Sequence, residues 1–437
     1  MRYSLLLIGF LFTFLVQGKN INPVRSETNS LQSSQKEVLK NSIPDTLQTC
    51  MAQAWDVSWN RFYSSKTHLF YDYISSYENG QGLAHLPTAD EVSRQYPNPC
   101  GYGTGMEDCM ILGGTMLSTM VDRYDATKDK NLKEDASKIL DGIKSCAKIP
   151  GVPGFVARGI CVEDGKSFYI NSSRDQYTHC VYGLWKYYRS PLCDVAGKKI
   201  IRGILTDIAE RMSRNVISEN HYDFLRADNK ECPLGICRMW NVQAHEAARL
   251  PMLYAAAWDV TKNKNYYNLY RHYIYDAIAQ SEKIGSNYSG YVYLQMQYSF
   301  DLLYQLERDN VLKDKLKNLM SRVEQMSLKH AVSCEKELRA TNKDSLAMLG
   351  SDWRQAKDWK LQNGYTIPQR GDYGKIWNLV RESGENLLVI FMFENPSQTV
   401  IKKELLEEIA SSMDYQHSSS CGVLFHLAAY WRARNTK

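Results

Sequence analysis

Six polar clusters interrupt an otherwise apolar helical sequence: Thr104-Gly-Met-Glu-Asp108, Ser173-Arg-Asp-Gln176, Trp240 to Glu246, Tyr291 to Gln295, Gly371 to Lys375, and Ser418 to Cys421. Each opens a segment whose apolar residues recur at three and four spacing. A helix start that only packs on its neighbour needs one capping residue, not a cluster. Three clusters carry an aspartate, Asp108, Asp175 and Asp372, and the first two form the candidate pair. A carboxyl kept protonated by burial or by a neighbouring negative charge can donate a proton, and a second, ionised one can accept it. Such a pair suits the breaking of a glycosidic bond.

Ordinary roles compete for the same residues. Thr104-x-x-Glu107 and Ser173-x-x-Gln176 both fit a capping box, which would use Glu107 and Gln176 only to tie down backbone N–H groups. Asp175 fits a first-turn acid favoured by the helix dipole, worth about 0.3–1 kcal/mol. Yet His179 and Tyr182 fall on the same helix face, which is then polar where a ring-lining helix should be apolar. His245 and Glu246 sit in an apolar segment, where a histidine serves as a hydrogen-bonded core residue or as a reactive one. Arg174, Arg238, Arg249 and Lys375 lie near helix starts, able to grip an anion or simply exposed. Glu107, Arg174, Gln176, His179, Arg238, Trp240, Asn241, Asp372 and Tyr373 are the candidate substrate contacts.

The elements that must position these residues are helices. The spacing predicts about twelve, over 46–64, 106–124, 130–147, 174–189, 195–215, 241–260, 264–284, 290–307, 311–330, 374–393, 398–413 and 420–434. Pro251 is expected to kink or restart the sixth. Tyr124-Asp-Ala-Thr-Lys-Asp-Lys-Asn-Leu132 is echoed by Trp258-Asp-Val-Thr-Lys-Asn-Lys-Asn-Tyr266. Both read as tight turns closed by Thr, Asp and Asn side chains on backbone groups. Further breaks at Pro191 to Asp194 and Glu307 to Asn310 divide the chain into helical hairpins. Twelve helices in six hairpins predict an all-α, (α/α)6 toroid over residues 46–437, preferred to an open solenoid because closure buries the terminal apolar faces. The irregular stretches 65–105, 148–172, 216–240 and 331–373 each precede an inner helix, so they collect on one rim, where function concentrates.

Composition narrows the partners. With 53 Lys+Arg against 48 Asp+Glu, interspersed along the chain, nothing marks a nucleic-acid binder. The 29 Tyr and 9 Trp suit stacking on sugar rings as well as core packing. Met1-Arg2, an apolar run to Val16 and Gln17-Gly18 read as a cleaved export signal over 1–18, followed by a flexible lead-in over 19–45. Beyond the signal no membrane contact is expected. Of 11 Cys, Cys232 and Cys237 form the most plausible local pair, and the others read as small buried apolar residues. No Cys-x-x-Cys pair, phosphate-cradling loop or Gly-x-Ser-x-Gly elbow appears, so neither a metal nor a cofactor is expected.

Arg249-Leu-Pro-Met-Leu-Tyr-Ala-Ala-Ala-Trp-Asp-Val-Thr-Lys-Asn-Lys-Asn-Tyr266 resembles the helix-turn-helix segment of the six-hairpin glycosidases, and is most similar to the unsaturated glucuronyl and rhamnogalacturonyl hydrolases. The resemblance implies two catalytic Asp residues near the starts of successive inner helices. One of these protonates an unsaturated uronic ring and activates the water that adds to it. Here that pair is Asp108 with Asp175, or Asp175 with the position six before Pro251, where His245 stands. The expectation is therefore an exported glycoside hydrolase acting on a carbohydrate, with Asp175 as acid/base. Two rivals stand beside it. A polysaccharide lyase would draw on His245, Tyr182, Asn241 and Arg238. A non-catalytic glycan binder would draw on Trp240, Tyr102 and Tyr373.

Overall fold

The two echoed turns close as their residue types dictate. Lys128 and Lys262 adopt left-handed backbone at φ 57° and 59°, and their N–H groups donate to Tyr124 and Trp258. In each turn the threonine hydroxyl then accepts the N–H two residues on, Thr127 from Asp129 and Thr261 from Asn263. Asp129 and Asn263 accept from Asn131 and Asn265, both at 2.9 Å. One sequence signature thus makes one reversal twice.

The computed structural model describes residues 46–437 apart from 79, 351, 363, 436 and 437. The expected export signal (1–18) and flexible lead-in (19–45) lie outside the described residues. In chain order the helices are α1 (46–57), α2 (Ala89–Ser93), α3 (Cys109–Thr127), α4 (Leu132–Lys148), α5 (Arg174–Arg189), α6 (Val195–Asn215), α7 (Arg249–Thr261), α8 (Lys264–Ser281), α9 (Gly290–Leu306), α10 (Asn310–Ala340), α11 (Lys343–Leu346), α12 (Asp372–Phe391), α13 (Thr399–Ser412) and α14 (Val423–Ala433). Two small antiparallel hairpins join them: β1 (Tyr63–Ser64) with β2 (Leu69–Phe70), and β3 (Trp359–Gln362) with β4 (Tyr365–Pro368).

Among the described residues, α3, α5, α7, α9, α12 and α14 each pack on the next, and α14 returns to α3. That is a closed inner ring, with α4, α6, α8, α10 and α13 outside it. At the seam, Arg123 of α3 lies over the Trp55 ring of α1 at 3.9 Å and reaches Trp431 of α14 at 5.2 Å. The (α/α)6 toroid expected from the hairpin count is the fold. Among the described residues no helix is long and apolar enough to cross a membrane.

Two expected boundaries move. The sixth segment begins at Arg249, not 241, because Pro251 falls in its first turn, where a missing N–H costs nothing and upstream continuation is blocked. His245 and Glu246 therefore stand in the turn before the helix rather than within it. The ninth helix runs on to Ala340, because Ala331, Cys334 and Leu338 extend its buried stripe. All 11 cysteines are free thiols, ten of them buried, and Cys232 and Cys237 touch each other without a bond.

The ring is tightest between α3 and α5. A methyl group on Gly114 would lie 2.2 Å from the His179 carbonyl oxygen, and one on Gly183 would lie 2.3 Å from the Gly114 carbonyl oxygen. Both obstacles are backbone, so they cannot rotate away. Gly183→Ala gains about 1 kcal/mol of helix propensity, but overpacking of about 1–3 kcal/mol outweighs it. A lowered urea midpoint is expected, and an unchanged or raised midpoint would show that the crossing yields.

Candidate active site

The leading ends of the inner helices surround a cavity of about 330 Å³. Asp108 and Ile111 of α3, Asp175 of α5, Tyr291 and Gln295 of α9, and Trp377, Arg381 and Glu385 of α12 line it, with Tyr102 and Arg158 from the preceding loops. Asp108 and Asp175 thus share one hollow. A larger cavity, about 860 Å³, opens at the trailing ends of the same helices. Its charges neutralise one another: Lys186 pairs with Asp122 at 2.5 Å, and the Tyr182 hydroxyl donates to Asp301 at 2.6 Å. At the leading end charge is unevenly matched.

Asp108 is held on both oxygens. Its Oδ1 accepts from Gln176 at 2.9 Å and lies 3.4 Å from Arg158, while Oδ2 accepts from Arg381 at 2.7 Å. Asp175 is different. Burial raises its pKa, but Arg249, donating to Oδ1 at 2.5 Å, together with Arg174 and Arg158, holds it below the ordinary carboxylate range. The side chain is one-third exposed, and Oδ2 accepts no hydrogen bond among the described residues. Asp175 is therefore an ionised carboxylate with one free oxygen at the cavity. The expectation that burial would keep it protonated is corrected, since Arg249 is anchored by Gln295 beneath it at 2.5 Å.

Glu385 is pushed the other way. Burial pushes its pKa up to about 7 against Arg381, whose Nε donates to it at 2.9 Å. Asp72 lies behind. Burial, then Asp108, pushes it to about 8, and neither of its oxygens has a hydrogen-bond partner. Among the described residues, Asp72, Glu107, Asp108 and Glu385 face the guanidinium groups of Arg158, Arg370 and Arg381. A buried cluster with more acids than cations retains protons.

The remaining candidates divide. Gln176 does not cap its own helix; it donates to Asp108 and to the Glu107 carbonyl. Glu107 does not form a capping box either. It accepts the N–H groups of Gly103 and Gly105 at 2.9 and 2.6 Å and pairs with Arg370 at 3.1 Å. The glycines, at φ 89°, wrap their N–H groups around this internal anion. Arg174 is spent on Glu246 and on the carbonyls of Gly235 and Arg238, so it holds a loop rather than a ligand. His179 is buried below the cavity, donating or accepting at Thr115 Oγ1 at 3.0 Å, and burial lowers its pKa to about 3. His245 lies outside the lining, against Glu246 and the Tyr288 ring at 4.8 Å, and burial lowers its pKa. Arg238 and Asn241 are exposed, Asn241 in a left-handed turn at φ 51°. Trp240 packs edge-on against Tyr273 at 4.7 Å. Asp372 is a solvent-facing partner of Lys375, and Tyr373 is buried on the Ser419 carbonyl. None of these five reaches the cavity.

Sequence reasoning missed Trp377, Arg381 and Glu385. They lie one turn apart on α12, and a polar stripe at i, i+4, i+8 inside an apolar inner helix is a readable signal. Attention to leading turns alone overlooks it, because α12 starts at Asp372 in solvent. Asp72 and Arg158 had no local signal at all. Among the described residues no group of three or more His, Cys, Asp or Glu side chains is arranged to hold a metal ion.

Structural comparison gives a counterpart for the ring. A sugar epimerase from a ruminal bacterium superposes with a TM-score of 0.50 at 11% identity, over 89% of this chain and 99% of that one. What the two share is the fold, a closed ring of helical hairpins. A family 76 glycoside hydrolase (mannosidase) from Bacteroides thetaiotaomicron superposes with a TM-score of 0.45 at 11% identity over 90% and 98% of the chains. A cellobiose 2-epimerase from Spirochaeta thermophila gives 0.44 and 12% over 89% and 97%. No family model and no curated protein sequence matches the chain.

Asp72 gives a stability test. Its folded-state pKa of about 8 lies above the ordinary aspartate value of about 3.9. The protonated carboxyl therefore supports folding fully at low pH, and that support is lost as pH rises towards 8. Asp72→Asn, uncharged at every pH, is expected to melt increasingly above wild type between pH 5 and pH 9. A constant difference across that range would place the excess proton elsewhere.

Proposed function

We propose that this protein hydrolyses a glycosidic bond, with Glu385 as proton donor and Asp175 as the ionised carboxylate. One observation carries the reading: two carboxyls line the same 330 Å³ cavity, and their surroundings push their proton affinities in opposite directions. The Glu385 carboxyl gives its proton to the glycosidic oxygen as the bond from the anomeric carbon breaks, and the electron pair leaves with that oxygen. The free Oδ2 of Asp175 supplies the negative charge, as nucleophile or as base towards water. Asp108, clamped on both oxygens, is a fixed anion beside the positive charge that develops. Tyr291, 42% exposed, and Trp377 offer ring faces for a sugar.

The substrate class follows from charge. Arg249, Arg158 and Arg381 already face Asp175, Asp108 and Glu385. No guanidinium at the cavity is left over for a uronate, which favours a neutral sugar over the unsaturated uronic acid that the sequence resemblance suggests. A lyase is less well served, because burial holds the lining Tyr102 and Tyr291 hydroxyls above their ordinary pKa and no histidine is in the lining. We read the leader over 1–18 as placing this activity outside the cytoplasm.

Asp175→Asn is expected to fold normally and lose about 10²–10⁴-fold in kcat on any glycoside the parent cleaves; wild-type turnover in the purified variant would end the proposal. The pH profile tests the acid. Activity should fall as pH rises through about 7, where Glu385 loses its proton. Glu385→Gln should abolish that limb, and an alkaline limb that persists in the variant would assign the proton to another group.

A further inference from the structure

A second chamber of about 380 Å³ adjoins the cavity, sharing Tyr102, Trp377 and Asn378 with it. Its walls are of another kind. Leu234 and Ile236 enter from the loop between Cys232 and Cys237, and Ile367 and Pro368 from strand β4. Leu234, Ile236 and Ile367 are only half-buried, so their apolar surface faces the chamber or the solvent around it. The charged side chains present, Glu107 and Arg370, are spent on each other at 3.1 Å. Glu107 also holds two glycine N–H groups, and Arg370 lies 3.5 Å over the Tyr73 ring. The other polar side chains in the lining are Tyr102 and Asn378, shared with the cavity, and the exposed Gln362 and Gln369. A sugar ring against the aliphatic walls would therefore leave part of its hydroxyl groups without partners. An apolar group would remove those walls from water.

We propose that this chamber is a leaving-group subsite for an apolar aglycone, an aryl or alkyl group joined through oxygen to the sugar in the adjoining cavity. The inference rests on the glycosidase reading of that cavity. The shared residues set the junction: Trp377 borders the sugar on one side and the aglycone on the other, while Asn378 and Tyr102 supply polar atoms where the glycosidic oxygen would cross. The substrate is then an amphiphilic glycoside, polar in the 330 Å³ cavity and apolar in the 380 Å³ chamber.

Two measurements test it separately. The first is binding of free 4-methylumbelliferone, followed by fluorescence polarisation, which needs no sugar and no turnover. Wild type should bind it, and Ile367→Asp and Leu234→Asp should weaken binding on the order of tenfold. Ile367→Ala is the milder control, and an unchanged melting temperature certifies the fold. Absence of wild-type binding, or equal binding by the charged variants, overturns the subsite. The second measurement compares 4-methylumbelliferyl glycosides with glycosyl fluorides of the same sugars, whose leaving group is too small to enter the chamber. In the charged variants the aryl-to-fluoride ratio of kcat/KM should fall about tenfold. An unchanged ratio in an active enzyme overturns the subsite while the glycosidase reading stands. Aryl binding without turnover of any glycoside in the panel leaves the chamber in place and removes the glycosidase reading instead.

Discussion

Arg381 donates through Nε to Glu385 and through Nη1 to Asp108, so one guanidinium serves two carboxyls in a place nearly closed to water. It can neutralise only one of them. Asp72, buried without a hydrogen-bond partner, adds a further acid to the same field. Burial is the larger push on Glu385 and Asp72, and neighbouring acids add to it, which keeps a carboxylic acid available near neutral pH. Asp175 escapes because it has Arg249 to itself. The division of labour between the two carboxyls is thus set by burial and by the cations around each, not by the carboxyls themselves.

The toroid brings Asp108 and Asp175, at the starts of α3 and α5, to one cavity. Its inner helices run with their leading ends towards the same cavity, and helix N-termini favour negative charge. The trailing ends carry Lys186, Arg189 and Arg432, as the opposite pole favours. Ring closure is what makes these end effects converge, and closure depends on small residues at the crossings. Gly114 and Gly183 let α3 and α5 touch backbone to backbone. That contact brings Asp108 and Gln176 within 2.9 Å of each other although 68 residues separate them.

The loops finish the site in two different ways. The segment before α3 bends its glycines around Glu107 and so spends a negative charge on the protein's own backbone. The Cys232–Cys237 loop and the β3–β4 hairpin bring aliphatic side chains instead, next to a polar cavity. Polar and apolar halves meet at Tyr102 and Trp377, which present a ring to each.

The long helices of the ring, the two echoed turns and the leading-end position of Asp108 and Asp175 were legible in the residues, because periodicity and turn chemistry are local, whereas the short helices Ala89–Ser93 and Lys343–Leu346 were not. The α12 stripe of Trp377, Arg381 and Glu385 was legible too, though only to a reader looking past the first turn. The protonation states were not legible. Asp175 and Glu385 acquire opposite proton affinities from Arg249 and Arg381, which lie 74 residues away in one case and on the same helix, shared with a distant aspartate, in the other. Arg174 and His245 misled because a charge near a helix start looks the same whether its partner is a substrate or Glu246. Sequence by itself determined which elements form and which residues stand at their ends, through short-range sterics and hydrogen bonding. Only the closed ring decided which of those residues face a common hollow and which carry a proton, because desolvation and charge pairing act between groups that the chain brings together from far apart.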